Sequence, residues 1–122
     1  MSDSIKAIVI AQGGGARLLE MRPGDTLKPL QDAVGGLIQR VTAQGVDFWV
    51  AEEAKLMDDW YERLNGVATD LLYQLDPRWR GLDVLVGTVV LTGGADSDGE
   101  IVSAPESLLR EFGLTTEPGG ES

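Results

Sequence analysis

The apolar positions along the chain change period several times, and each change marks an element. Ser4 to Ala11 (SIKAIVIA) is short, β-branched and almost continuously apolar, which predicts a buried strand. Arg17 to Arg22 gives a second, more polar strand. Between them, Gln12-Gly13-Gly14-Gly15-Ala16 reads as a hairpin loop, because glycine reaches φ > 0 without steric cost. Pro23-Gly24-Asp25 then turns the chain. From Thr26 to Val34 the period becomes helical, with Leu27, Leu30 and Val34 on one face. Pro29 falls in the first turn of that helix, and Gly35-Gly36 stands where a C-cap is needed.

Leu37 to Thr42 and Val46 to Val50 predict two further strands, followed by a polar turn over Ala51 to Lys55. Leu64, Val67, Ala68, Leu71, Leu72 and Leu75 keep the clearest helical spacing of the chain, and Asp76-Pro77 ends it. Asn65 is placed to cap that helix, although a polar group aimed at a ligand has the same position. Asp83 to Thr92 is the most strand-like run and reads as a central strand, its Gly87 marking a bulge or a close backbone approach. Asp98-Gly99 supplies a turn, and the strand resumes over Glu100 to Ser103. Ser103-Ala-Pro-Glu106 fits a capping box for a helix through Leu108, Leu109 and Phe112, which Gly113 stops. The order ββαββαββα, rich in hairpin signals, predicts a single α+β domain over residues 1–114. Its sheet is mostly antiparallel, of five or six short strands, with about three helices packed on one face. Thr115 to Ser122 reads as a polar, disordered tail.

Composition narrows the chemistry more than the fold. The chain has no histidine and no cysteine, which removes the commonest general base, the usual zinc ligands and any thiol nucleophile. No catalytic constellation, metal site or cofactor is expected. Gly13, Gly14 and Gly15 lack the third glycine of a dinucleotide fingerprint, since Leu18 occupies its place, and no Gly-Lys-Ser/Thr follows. Asp96-Ser-Asp98-Gly99-Glu100 resembles part of a calcium loop, but Gly94 and Pro105 stand where carboxylate ligands belong. Twenty acidic against ten basic residues give a formal charge of −10, which argues against direct nucleic-acid binding. No leader-like or membrane-spanning segment is visible, so a cytoplasmic location is expected.

The stretch from Asp47 to Glu62 combines acids with aromatics. Glu52, Glu53, Asp58, Asp59 and Glu62 alternate with Phe48, Trp49, Trp60 and Tyr61, and only Lys55 opposes them. Aromatics rimmed by acids suit a contact surface for a basic or mixed partner, whereas the plainer account has those aromatics capping the core. Arg78-Trp79-Arg80 is a second candidate edge. A small-ligand site built from Gly13, Gly14, Gly15 and Asn65 is the alternative, and a homodimer through an exposed edge strand stays open.

Six segments in order resemble one family. Ile5-Lys-Ala-Ile-Val-Ile10, Val34-Gly-Gly-Leu-Ile38, Glu52-Glu53-x-Lys55-Leu56, Asn65-x-x-Ala68-Thr69-x-Leu71-Leu72, Val86-Gly-Thr-Val-Val90 and Asp98-Gly-Glu100 are similar to domain of unknown function 3846. Ala51 and Ala54 replace the Asn and Gly of that family's Asn-Glu-Glu-Gly-Lys-Leu turn, and Met57 to Arg63 is longer and more aromatic than its usual Gly-Leu-Pro. The resemblance implies an accessory protein of bacteriophages and mobile elements, often of actinobacteria. By analogy with other small phage accessory proteins it implies a host protein as partner, bound for host takeover or anti-defence; that the chain is no enzyme is expected from its lack of histidine, cysteine and any catalytic motif. A DNA mimic that blocks a nucleic-acid-binding protein is the alternative that the acidity suggests.

Overall fold

A computed structural model describes residues 4–56, 58–97 and 99–114. Five strands form one antiparallel sheet: β1 (Ile5–Ile10), β2 (Ala16–Met21), β3 (Ile38–Ala43), β4 (Val46–Ala51) and β5 (Val89–Gly93). Their spatial order is β2-β1-β5-β4-β3, so the last strand in sequence lies in the middle, as its apolar run predicts. Three helices accompany them: α1 (Leu27–Val34), α2 (Gly66–Leu75) and α3 (Glu106–Glu111). Three 3-10 turns, Ala54–Leu56, Trp60–Arg63 and Pro77–Trp79, complete the elements among the described residues. The expected disordered tail lies outside the described residues. No helix among those residues is long and apolar enough to cross a membrane.

Both hairpins follow from local chemistry. In the first, Gly14 takes φ +102°, its N–H bonds the Ala11 carbonyl at 2.8 Å, and Ala11 N–H returns to Gly15 at 2.7 Å. In the second, Gln44 and Gly45 both have positive φ, the conformation of a two-residue turn that matches strand twist. Gly35 closes α1 at φ +89° with its N–H on the Gln31 carbonyl, as a C-cap glycine should.

The helices do not share one face of the sheet. Ile8, Ile10, Phe48, Val89 and Leu91 point to one side, where Ala68, Leu71 and Leu72 of α2 and Leu108 and Leu109 of α3 cover them. Ile5, Ala7, Val9, Trp49 and Val90 point to the other, where Leu30 of α1 packs. The one-face expectation is therefore corrected to a sheet with helices on both sides. The cause lies in β1, β4 and β5, where apolar residues stand at successive positions (Ala7 to Ile10, Phe48 to Val50 and Val89 to Leu91) and need cover on both faces.

Three local expectations also change. Residues 83–88 leave the strand pattern, because Gly87 takes φ +79° and turns the chain. Glu100 to Ser103 contributes only an isolated bridge from Val102 to Gly93. The capping box does not form: Pro105 stands at the N-cap of α3, and the Ser103 hydroxyl accepts from Lys6 N–H at 2.9 Å instead. Together with Ala104 N–H on the Lys6 carbonyl (2.8 Å), that bond fastens the approach to α3 onto β1. A strand-edge amide competes successfully with the helix terminus for one hydroxyl.

Candidate functional site

The acidic-aromatic stretch divides into a buried half and an exposed half. Asp47, Phe48 and Trp49 belong to β4 and are buried, which takes them out of any contact surface. Trp49 donates to the Thr92 hydroxyl at 2.8 Å, with the Arg40 guanidinium 5.9 Å above its ring. Asp47 accepts from the Thr42 hydroxyl at 2.9 Å and faces Arg40 at 3.8 Å. Alternation along a strand covered on both faces explains the burial of all three.

Beyond β4 the chain runs through two 3-10 turns that cannot bury a continuous stripe. Glu52, Glu53, Asp58, Asp59, Trp60, Tyr61 and Glu62 are all exposed there, so the seven candidate contact residues share one shelf between β4 and α2. Trp60 and Tyr61 meet edge to face with centroids 6.1 Å apart. Leu56, Leu64 and Val67 are exposed in the same stretch, with Leu56 at 78%. The shelf thus exposes apolar and acidic side chains together. Its single lysine is engaged elsewhere: Lys55 forms an ion pair with Asp83. Partial burial lowers the pKa of the Lys55 ammonium from its ordinary value.

The Arg78-Trp79-Arg80 edge is internally satisfied. The Arg78 guanidinium holds Asp76 at 3.0 and 2.9 Å, Trp79 donates to the Thr42 carbonyl at 3.3 Å, and Arg80 lies 5.1 Å over the Tyr73 ring. The Arg78 hydrogen bond depresses the Asp76 carboxyl below its usual range against a smaller opposing effect of burial, and Asp76 raises Arg78 in return.

The alternative site, Gly13, Gly14, Gly15 and Asn65, is brought together but is spent on structure at its polar end. Asn65 is fully buried. Its Oδ1 accepts from Ala68 N–H at 3.1 Å, which caps α2. Its Nδ2 donates to the carbonyls of Gly87 (2.8 Å), Ile10 (3.0 Å) and Ala11 (3.3 Å). The glycine loop rests on the start of α2, where a Cβ at Gly14 would stand 3.3 Å from Val67 Cγ2.

Beside the shelf lies a cleft of about 550 Å³. Gln12, Leu37, Glu53, Arg63 and Thr88 supply its larger side chains, with Gly35, Gly36 and Gly87 in its walls. Gln12 Nε2 reaches the Glu62 carbonyl at 3.3 Å, so the glycine loop, the shelf and the cleft are continuous. Of these residues only Glu53 was a candidate from sequence. The cleft draws on segments spread from Gln12 to Thr88, and its sole advance signal was the glycine at position 87 inside a strand pattern.

A family model for a domain of unknown function, DUF3846, matches residues 5–115. The chain belongs to this family. The match covers the whole sheet, all three helices, the shelf and the cleft, so the site sits in the family's own domain rather than on an appendage. No curated protein and no solved structure matches the chain.

Proposed function

We propose that this DUF3846 protein is a non-enzymatic accessory protein of phage type that binds and modulates a host protein through the shelf from Glu52 to Glu62. The observation that carries this reading is the exposure of Trp60 and Tyr61 among Glu52, Glu53, Asp58, Asp59 and Glu62, while Phe48 and Trp49 of the same stretch are buried. Large aromatics left in solvent are disfavoured unless a partner covers them, and tryptophan and tyrosine are the side chains that most often anchor interfaces. The carboxylates around them add steering and selectivity toward a partner with lysine or arginine at its rim. Host takeover or anti-defence is the setting that the phage-like resemblance implies, and the cytoplasm of the host is where such a partner is met.

The test is capture of a partner from bacterial lysate by the tagged protein, compared with Asp58→Lys/Asp59→Lys. A single stoichiometric protein held by the wild type and released by the variant supports the reading. Equal capture by both moves the contact off the shelf.

A further inference from the structure

The cleft has a structural cause, and the cause defines what fits it. Gly94 N–H donates to the Gly45 carbonyl at 2.7 Å, which fixes Gly45 and Gly94 as a hydrogen-bonded pair on the β4–β5 ladder. On the opposite edge of β4, Glu52 N–H donates to the Leu37 carbonyl of the β3 side at 2.7 Å. Backbone groups alternate sides along a strand, so residues 47, 49 and 51 aim theirs at β5. The bonded pairs along that ladder are therefore Asp47 with Thr92, then Trp49 with Val90, and next Ala51 with Thr88. The register stops at Trp49 and Val90, and no backbone hydrogen bond joins Ala51 to Thr88. On its other side β5 stays paired with β1 as far as Ile10 and Val89.

The sheet is thus split between β4 and β5 at one end. Gly87 opens the split. Its N–H is drawn to the Arg63 carbonyl at 2.7 Å and its carbonyl to Asn65 at 2.8 Å, toward the end of β1 and away from β4. Ala51 and Thr88 both line the cleft, each with one backbone N–H and one carbonyl that the ladder leaves without a partner. The natural complement of such groups is another extended backbone, the basis of recognition by strand addition.

We infer that the split takes an extended, basic peptide segment. Its backbone pairs with Ala51 and Thr88 as a short continuation of the ladder, and a lysine or arginine side chain meets Glu53 of the cleft lining, which also includes Arg63. The stem of that side chain has Val34, Leu37 and Ala54 to lie against. This inference rests on the partner-binding reading above and names the part of the partner that enters the fold.

The whole 122-residue chain is tested in two steps. Amide exchange of the free chain comes first: Ala51 and Thr88 are expected to exchange on the order of a hundredfold faster than Trp49 and Val90. Comparable protection at all four would mean that the ladder is closed and would overturn the inference. A random displayed peptide library is then selected on the wild type, and the enriched peptides are synthesised. They are expected to be rich in lysine or arginine, to protect the Ala51 and Thr88 amides, and to bind Gly36→Phe about tenfold or more weakly. Gly36 lines the cleft, has no positive φ, and has nothing within 4 Å of an added Cβ, so the substitution occludes without strain. Gly36→Leu repeats the test should phenylalanine perturb folding. No enrichment, or equal binding to the occluded variants, overturns the inference. Peptides that ignore Gly36→Phe but are lost from Asp58→Lys/Asp59→Lys would leave the shelf reading standing and remove the cleft from it.

Discussion

The side-chain amide of Asn65 and the carbonyl oxygen of Gly87 lie 2.8 Å apart, and this bond ties the start of α2 to the kink that precedes β5. The same side chain caps α2 and holds the end of β1, so one residue joins helix, sheet and cleft. Asn65→Ala removes a cap and leaves buried carbonyls without a donor. We expect a loss of about 2–4 kcal/mol in denaturant unfolding. Asn65→Asp keeps the capping oxygen but sets a carboxylate against those carbonyls, so its stability should recover as the pH is lowered and the group protonates. Matched unfolding curves at neutral and acidic pH check both statements.

The aromatics of one short stretch should separate cleanly by stability. Phe48→Ala empties a fully buried site and should cost about 3–5 kcal/mol. Tyr61→Ala removes an exposed ring and should stay within about 0.5 kcal/mol of the wild type, and Trp60→Ala, at a ring 37% exposed, should cost no more than about 1–2 kcal/mol. A large loss at Trp60 would mean that the shelf is part of the core rather than a contact surface.

Gly93 sits where the chain crosses itself. An added Cβ would stand 2.4 Å from the Ser103 carbonyl oxygen and 2.7 Å from Val102 Cγ2, and the first of these is backbone that cannot rotate away. Gly93→Ala should therefore destabilise by about 1–3 kcal/mol. Gly13→Ala is the control, since nothing lies within 4 Å and no positive φ is required there. Thermal melts of the pair give the comparison directly.

Asp76 should contribute an acid-sensitive component to stability. Its folded pKa is depressed, chiefly by the Arg78 hydrogen bond, below an unfolded value of about 3.9. The folded state therefore binds the proton less readily than the unfolded chain does. The contribution is present above the unfolded pKa and is lost as the pH falls through the folded one. Asp76→Asn should flatten the stability profile below about pH 4 and leave the slope near neutrality unchanged. An unchanged acid limb would contradict the pairing.

Much of the frame was legible because it depends on neighbours in sequence. The Gly14 hairpin, the Gly35 cap of α1 and the Asn65 cap of α2 are all decided within a few residues, and each forms as the sequence suggests. What escaped depends on distant segments. The side of the sheet that α1 covers is set by how β1, β4 and β5 assemble, not by the period of Leu27, Leu30 and Val34. Ser103 abandons its helix for Lys6, a residue 97 positions away in sequence. The division of Asp47 to Glu62 into core and shelf follows from where β4 ends. The cleft was invisible because it exists only where Gly87 draws one strand away from another.

The most direct test of the account is partner capture by the wild type, Asp58→Lys/Asp59→Lys and Trp60→Ala, all shown to be folded by their melting curves. The account predicts one dominant protein retained by the wild type and lost, or nearly so, from both variants. Undiminished capture by the variants, or no specific capture by a folded wild type, would contradict it.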